Sequence, residues 1–418
     1  MRFNNYLQAI ALGLVITLVS ASAFAQDPSQ PAQIETEQSF ALWVEEFVQK
    51  AVTEGHDESF ARSLLDGLSP DETVLERDRF QPEFTRPIWE YLRSAVSELR
   101  VKNGKSALAD HQELLNNLQQ KTGVPASVIT AIWGLESAYG KIQGNFDVVR
   151  SLATLAHDGR RGKWAEGELL AVMTMLEQGD VSRQELKGAW AGAMGQTQFI
   201  PSTYLEYAVD GDGDGKKDIW NSEADALAST ANYLRRHGWQ SETDWGVEVK
   251  LKQNFAYELA DDTVLSIGSW QTRGAEPFSG RTWREDEVGD AARLFLPAGA
   301  SGPKLLISSN FRVIKRYNNS TAYALGVGLL SRALEDKIGL KQTWPKHLKP
   351  LTRNQIKEMQ QLLQIAGHDP GGVDGMAGPN TRRALRAYQH GIGLIPDGFA
   401  STQMLENLRV NHKPRQPH

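Results

Sequence analysis

The stretch VPASVITAIWGLESAYG (residues 124–140) carries a single carboxylate within an apolar helical stripe. Val128, Ile129 and Ile132 recur at the spacing of one helix face, and Glu136 follows four residues after Ile132. Burial disfavours the charged form of a carboxyl group and raises its pKa, so the group can hold and release a proton near neutral pH. The pattern predicts a buried helix in which Glu136 is a candidate general acid.

A structural interpretation of Glu136 stands beside the catalytic one. An Arg side chain or backbone amides can satisfy a buried carboxylate without any chemistry, and such ion pairs also perturb pKa values. The helix alone leaves both interpretations open.

Four motifs downstream of this helix combine small, acidic and aromatic residues. They are GAWAGAMGQTQFIPSTY (188–204), DGDGDGKKDIWNSEADA (210–226), ANYLRRHGW (231–239) and RYNNSTAYA (316–324). With ESAYG, they resemble in order and spacing the soluble relatives of the membrane-bound lytic murein transglycosylase B family, over roughly residues 36–340. The resemblance implies a lysozyme-like helical domain that cleaves the MurNAc-GlcNAc β-1,4 bond of peptidoglycan and forms 1,6-anhydro-MurNAc in cell wall turnover or remodelling.

Composition and the first residues bear on location and partners. The 418 residues carry a formal net charge of −6, so nothing favours nucleic acid as a partner. The absence of cysteine excludes disulfides and also the lipidated cysteine that anchors some members of the family. Arg2, an apolar run and Ala-Phe-Ala at 23–25 are typical of a secretory signal peptide. We expect a soluble periplasmic protein without a stable membrane anchor, cleaved near Ala25.

The periodicity of the chain predicts a mainly α (α+β) fold. Helical spacing dominates from Phe40 to Gly140, and a period of two between about 245 and 312 predicts a small β subdomain inserted before the last catalytic helix. The expected segments are the signal peptide (1–25), a flexible polar lead (26–38), the catalytic domain (39–340), a linker (341–350), a C-terminal module (351–410) and a tail (411–418).

The C-terminal module contains a weak internal repeat. VDGMAGPNTRRALRAYQ (373–389) and PDGFASTQMLENL (396–408) each run from Asp-Gly through a small-residue turn into a helix. The segment resembles the three-helix peptidoglycan-binding module of wall hydrolases. An unrelated helical tail is the alternative.

The family resemblance assigns roles to the motifs. Ordinary glycosidases need two carboxylates, whereas a transglycosylase that uses the C6 hydroxyl of the sugar needs only Glu136, first as acid and then as base. Asp147 and Asp158 are candidates for a second carboxylate, but each follows a turn and is more typical of a helix cap or an ion pair with Arg160 or Arg161. The residues that the resemblance implies for substrate binding are Gln198, Tyr233, Tyr317, Asn318, Tyr323, Tyr91 and Met194.

One position departs from the family pattern. The resemblance leads us to expect Ser before the Trp of the second motif, where this chain has Ala189. That hydroxyl helps to hold the catalytic carboxyl in relatives, so one supporting contact is missing here.

The acidic glycine loop predicts a structural Ca²⁺ ion. Asp210, Asp212 and Asp214 occupy positions 1, 3 and 5 of an EF-hand loop, with Lys216 offering its carbonyl at position 7. Position 12 is not Glu, and the resemblance implies that Asp225 supplies a bidentate carboxylate instead. Asp-Gly repeats also form simple turns, so a loop without a metal ion is the alternative interpretation. No organic cofactor is expected.

Two rivals to a lytic transglycosylase remain. A hydrolytic muramidase would use water and a second carboxylate. A noncatalytic wall-binding scaffold would be favoured if Glu136 were exposed or paired with a cation.

Overall fold

The computed structural model describes residues 29–79, 87–337, 339–349 and 351–412. Helices dominate these residues, and the strands are short. The helices are α1 (Ser29–Thr53), α2 (Glu58–Leu65), α3 (Glu72–Arg79), α4 (Ile88–Ala95), α5 (Glu98–Asp110), α6 (Gln112–Thr122), α7 (Ala126–Ser137), α8 (Val148–Asp158), α9 (Gly162–Glu177), α10 (Pro201–Tyr207), α11 (Glu223–Arg236), α12 (Ile267–Thr272), α13 (Ser309–Tyr317), α14 (Thr321–Leu334), α15 (Arg353–Ile365), α16 (Pro379–Gly391) and α17 (Thr402–Asn411). The strands are β1 (Phe146–Asp147), β2 (Lys187–Gly188), β3 (Gly246–Leu251), β4 (Val264–Ser266), β5 (Ala275–Pro277), β6 (Ala291–Phe295) and β7 (Leu305–Ile307).

Helix α7 lies at the centre of the large helical domain. It packs against α14, α5, α11 and α6, and every residue from Ser127 to Gly134 is buried. A helix that is apolar all round is buried all round. This confirms the fold predicted from residues 124–140, and it fixes Glu136 in the last turn of a helix that cannot shift without disturbing the core.

The β subdomain is a five-stranded antiparallel sheet in the order β4-β6-β7-β3-β5. It has a core of its own, built around Trp270, Leu294 and Leu306. The period of two continues to about residue 312, but β7 ends at Ile307, since the Ser308 side chain accepts a hydrogen bond from the backbone N–H of Asn310 and caps α13. Helices α13 and α14 then return the chain to α7.

The C-terminal module consists of α15, α16 and α17 around a separate core that includes Leu363, Leu385 and Leu405. Its internal repeat has a structural counterpart. Gln360 donates to Asp374 Oδ1 at 2.8 Å and accepts from the N–H of Gly375 at 2.9 Å. Gln389, Asp397 and Gly398 repeat this arrangement at 2.8 and 2.7 Å, so a Gln from the preceding helix clamps each Asp-Gly turn.

The module packs against the β subdomain through an ionic contact. Asp261 accepts from Arg382 Nε at 3.1 Å and from Arg386 Nη1 at 2.8 Å. Asp397 accepts from the backbone N–H of Ala300 at 2.8 Å. The module therefore has its own core and is also docked on the catalytic domain.

Two predictions concern the N-terminal residues, namely the signal peptide and the polar lead. The predicted signal peptide lies outside the described residues. Helix α1 begins at Ser29, so most of the segment predicted as a polar lead is helical, while its flexibility stays a prediction. Gln, Glu and Ala are good helix formers, and a helix nucleated by the apolar residues from Phe40 extends cooperatively into polar sequence. Within the described ranges, no helix combines the length and the apolarity needed to cross a bilayer.

Candidate active site

Glu136 is partly exposed in the last turn of α7. Its carboxyl group itself is surrounded by protein atoms. Burial raises the pKa of Glu136 to about 7, and the Tyr323 hydroxyl opposes this rise. The C-terminal end of a helix also disfavours a negative charge. No described cation forms a salt bridge with Glu136, so the structure does not favour the structural interpretation in which an Arg neutralises it.

The chain leaves α7 through a left-handed turn that begins two residues after Glu136, at Ala138. Ala138, Tyr139 and Gly140 have φ values of 51°, 62° and 79°, although each non-glycine residue in this conformation costs about 1–2 kcal/mol. The buried Tyr139 ring holds the turn in place, and its hydroxyl donates to the carbonyl of Arg100 at 2.8 Å. Gly134 permits this packing, because a Cβ there would overlap the Tyr139 ring. The turn ends the helix two residues after the carboxylate.

Three of the predicted tyrosines surround Glu136. Burial and the negative charge of Glu136 raise the pKa of Tyr91 to about 12, and the same two causes raise the pKa values of Tyr317 and Tyr323 well above the usual range. The buried Tyr323 hydroxyl has no partner with full hydrogen-bond geometry among the described residues. The hydroxyl lies beside the Glu136 carboxyl group, where it can orient that group.

Tyr233 supports the tyrosines around Glu136 through ring packing and a hydrogen bond. Its ring lies 5.0 Å from that of Tyr317 and stacks on His237 at 4.1 Å, and its hydroxyl donates to the carbonyl of Arg316 at 2.7 Å. Tyr317 donates to the carbonyl of Thr197 at 2.7 Å. Because both hydroxyl protons are used within the protein, these tyrosines position the site more than they bind substrate.

Gln198 presents a hydrogen-bond acceptor to the site. It has a left-handed φ of 53°, and its Nε2 donates to the carbonyls of Gln143 at 3.1 Å and Gly195 at 2.9 Å. Both amide hydrogens are thus occupied, which leaves the side-chain oxygen free to accept from a sugar hydroxyl or an acetamido N–H.

Two other predicted residues differ in their exposure. Met194 is 0% exposed and pairs with Phe199 through its backbone N–H, which leaves no side-chain surface for a ligand, so its role in substrate binding stays a prediction. The small residues on either side of Met194 predict a loop that approaches a ligand. In the structure they allow the backbones of Met194 and Phe199 to pair closely. Asn318 is exposed after α13. At Ala189 only the backbone takes part in hydrogen bonds, so the carboxyl support expected from Ser has no counterpart at this position.

The alternative carboxylates are occupied elsewhere. Asp147 caps α8 through the N–H of Arg150 and pairs with Arg183 at 2.9 Å. Asp158 pairs with Arg79 at 3.0 Å. Their predicted structural roles are confirmed, but the predicted partners are wrong, because Arg160 and Arg161 both pair with Asp78.

The acidic loop brings Asp210, Asp212 and Asp214 together. One carboxylate oxygen of each lies within 4.8 Å of the others, and all three residues are exposed. Asp225 is buried outside this cluster, where its oxygens accept from the N–H groups of Gly211 and Asp218, both at 2.7 Å. Three carboxylates at this spacing suit the oxygen preference of Ca²⁺, while Asp225 fastens the two ends of the loop.

The end of the acidic loop supports the wall of the site. Gln196 donates its backbone N–H to Ile219 at 2.9 Å and its Nε2 to Trp220 at 3.2 Å. Its side-chain oxygen accepts from Trp133 of α7 at 2.9 Å. The loop is therefore connected, through one buried Gln, to the helix that carries Glu136.

Some positioning residues escape prediction from the sequence. Tyr139 lies inside the quoted stretch, and its position before Gly140 is the only signal of a special turn. Gln143 and Thr197 contribute backbone carbonyls, which no side-chain pattern reveals. Arg100, which donates to the carbonyl of Gly134 at 3.2 Å, belongs to a separate helix with no recognisable motif.

Comparison with known proteins accounts for this arrangement. Residues 39–332 match the family model described as "Transglycosylase SLT domain", and residues 352–408 match "Putative peptidoglycan binding domain". Membrane-bound lytic murein transglycosylase B of Escherichia coli is 32% identical over 279 residues, which are 65% of this chain and 73% of that protein.

Solved structures agree in fold. SltB3 from Pseudomonas aeruginosa, in complex with NAG-anhNAM-pentapeptide, matches with a TM-score of 0.86 and 47% identity, over 89% of this chain and 100% of that one. The Escherichia coli lytic transglycosylase Slt35 in complex with calcium matches with a TM-score of 0.61 and 30% identity, over 70% and 92% of the two chains. The chain belongs to the transglycosylase SLT domain family.

Proposed function

We propose that Glu136 is the single catalytic acid and base of this peptidoglycan lytic transglycosylase. The observation that carries the proposal is a carboxyl group whose pKa burial raises to about 7, which suits both roles near neutral pH. Among the described residues, no second carboxylate is close enough to shift the pKa of Glu136. A hydrolytic mechanism with a pair of carboxylates is accordingly disfavoured.

The reaction proceeds in two steps. The Glu136 proton goes to the glycosidic oxygen as the bond between that oxygen and C1 of MurNAc breaks, and the acetamido oxygen of the substrate shares the charge that develops at C1. The carboxylate then takes the proton of the C6 hydroxyl as O6 bonds to C1. This closes the 1,6-anhydro ring and restores the acid, and no water is consumed.

The neighbouring side chains orient the sugar. The buried Tyr323 hydroxyl lies beside Glu136 and orients its carboxyl group toward the sugar. Gln198 accepts from a sugar hydroxyl or an acetamido N–H, and Tyr91 and the exposed Asn318 complete the predicted contacts. Tyr233 and Tyr317 keep this group in position through the bonds they donate to backbone carbonyls.

Asp210, Asp212 and Asp214, with the carbonyl of Lys216, would hold a Ca²⁺ ion. A relative solved in complex with calcium supports this assignment. The ion would contribute stability and no chemistry, because it would brace the loop whose end bonds to Gln196. The bidentate role of Asp225 stays a prediction, since its oxygens bond to two backbone N–H groups.

The remaining assignments concern the whole chain. Residues 351–410 bind peptidoglycan as a module in addition to the catalytic domain, and the protein acts in the periplasm after removal of residues 1–25. Sequencing the amino terminus of the mature protein tests the cleavage site near Ala25.

The pH dependence of cleavage tests the role of Glu136. The acid form begins the reaction, so kcat/KM on soluble glycan chains falls as pH rises through about 7. Glu136→Gln removes both proton transfers and reduces the rate by about 10²–10⁴ fold, with the fold intact by circular dichroism. A variant that keeps more than about a tenth of the wild-type rate contradicts the assignment.

A further inference from the structure

A pocket of about 320 Å³ lies where the C-terminal module meets the linker and the β subdomain. We call it the junction pocket. Ser301 of the β subdomain and Leu348 of the linker line it together with module residues that include Leu394, Ile395 and Asn407. Neither the module nor the catalytic domain forms this pocket alone.

Hydrogen bonds fix the floor of the junction pocket. Asp397 accepts from Gln389 at 2.8 Å, from the N–H of Phe399 at 2.9 Å and from the N–H of Ala300 at 2.8 Å. These three hydrogen bonds stabilise the negative charge of Asp397 without a cation. They also hold the floor of the pocket in place. The contact with Ala300 also holds the module side of the pocket against the β subdomain.

Other polar groups of the junction pocket remain free. Asn407 uses its side-chain oxygen to accept from Tyr388 at 2.8 Å and Asn411 at 3.1 Å. Its Nδ2 forms no hydrogen bond within the described part of the chain, and Gln403 is exposed beside it. These amides can bond to peptide groups of a ligand.

The apolar rim favours small aliphatic groups. Leu394 is 45% exposed and Ile395 is 56% exposed, and both line the pocket, so they offer apolar surface to a ligand. Among the described residues, the lining includes Phe399 but neither Trp nor Tyr. Aromatic rings with polar edges are the side chains that best match sugar faces, so the rim suits methyl groups better than a pyranose.

The linker supplies positive charge next to the lining residue Leu348. Lys346 and Lys349 lie on either side of Leu348 in sequence, and both are exposed. They complement a ligand with free carboxylates, and their attraction depends on salt.

We infer that the junction pocket binds the peptide stem of peptidoglycan, a short chain of alanine-type and acidic residues with free carboxylates. The inference rests on the proposed function, in that the substrate is peptidoglycan, and it adds a second contact point remote from Glu136. A second structure of SltB3 from Pseudomonas aeruginosa, which is 47% identical to this chain, contains NAG-NAM-pentapeptide. A peptide stem therefore accompanies the glycan in complexes of this related protein.

The first test measures binding of the free pentapeptide stem, without sugar, to the full chain by calorimetry. Ile395→Asp removes apolar contact and adds a like charge, so we expect the affinity to fall by about ten-fold or more. Val410→Asp is the matched control, because Val410 is 73% exposed in the same module and does not line the pocket. Lys349→Gln should weaken binding less and reduce its salt dependence. Equal affinities for wild type, Ile395→Asp and Val410→Asp overturn the inference.

The second test separates the stem from the glycan. Sacculi are treated with an amidase that removes the stems, and binding of the full chain is measured before and after. We expect wild type to bind stripped glycan less than intact sacculi, and Ile395→Asp to bind both equally. Wild-type binding that does not weaken when the stems are removed would identify glycan as the occupant and contradict the inference.

Activity distinguishes this inference from the catalytic proposal. Ile395→Asp should form the anhydro product from short soluble chains at the wild-type rate, whereas Glu136→Gln should bind the free pentapeptide normally and form product about 10²–10⁴ fold more slowly. Loss of pentapeptide binding in Glu136→Gln would contradict the separate site, and product formation by Glu136→Gln at more than about a tenth of the wild-type rate would contradict only the catalytic role.

Discussion

Replacing Glu136 with Gln should stabilise the protein at high pH while it removes activity. The amide has nearly the same size as the carboxyl group but never ionises. The carboxylate, in contrast, is destabilised in the fold because burial raises the pKa of Glu136 from its usual 4.5 to about 7.

The magnitude follows from the two pKa values. Below pH 4.5 both folded and unfolded chains hold the proton, so the carboxyl costs nothing. Between pH 4.5 and 7 the unfolded chain releases the proton first, and the free energy of unfolding falls as pH rises. With about 1.36 kcal/mol for each pKa unit, the cost is about 0.8 kcal/mol at pH 5 and about 3.3 kcal/mol at pH 8. The free energy of unfolding of Glu136→Gln relative to wild type should therefore rise by up to about 2.5 kcal/mol from pH 5 to pH 8. Water in the cleft screens the charge and reduces this difference.

Denaturant unfolding of both proteins at pH 5 and pH 8 measures this difference. Glu285→Gln is the matched control, since Glu285 is exposed in a turn of the β subdomain and the same substitution there should show no such pH dependence. If the stability difference between Glu136→Gln and wild type is the same at both pH values, the carboxylate is not desolvated and the argument for its acid role fails.

Three further predictions follow from other parts of the structure. Ala138→Gly should leave stability unchanged or raise it by up to about 1 kcal/mol, because it relieves a left-handed residue, whereas Ala131→Gly inside α7 should lower it by about 1 kcal/mol; equal losses in denaturant unfolding would contradict the assigned turn strain. Chelation of Ca²⁺ should lower the melting temperature without changing the product, and Asp210→Ala should abolish that shift; a melting temperature insensitive to both would remove the metal assignment. Deleting residues from Leu351 onward should preserve cleavage of short soluble chains but weaken sacculus binding by about 10²–10⁴ fold; equal losses of activity on both substrates would show that the module belongs to the catalytic fold.

The core of the fold is predictable from sequence because its pattern is strong and local. The stripe around Ile132 specifies a buried helix, and the change of period near residue 245 marks the β subdomain. The extent of α1 and the end of β7 are less predictable. Each depends on a local competition, helix propagation into polar sequence in one case and a Ser308 cap in the other.

The site is predictable in its ionisable members and less so in its geometry. The period of α7 identifies Glu136, and the motifs bring Tyr317 and Tyr323 beside it. The burial of Met194 and the acceptor-only orientation of Gln198 depend on backbone conformation that no residue pattern specifies. The docking of the module through Asp261 pairs segments that are distant in sequence, so it follows only from the tertiary structure.

The origin of the product's oxygen tests the single-carboxylate mechanism most directly. Purified sacculi are digested by the full chain in ¹⁸O-labelled water, and the products are analysed by mass spectrometry. If the C6 hydroxyl closes onto C1, the products end in 1,6-anhydro-MurNAc, carry no ¹⁸O and are one water lighter than hydrolysed muropeptides. Products that are one water heavier and carry ¹⁸O at C1 would show that water attacks, and would contradict the assignment of Glu136 as the only carboxylate in the reaction.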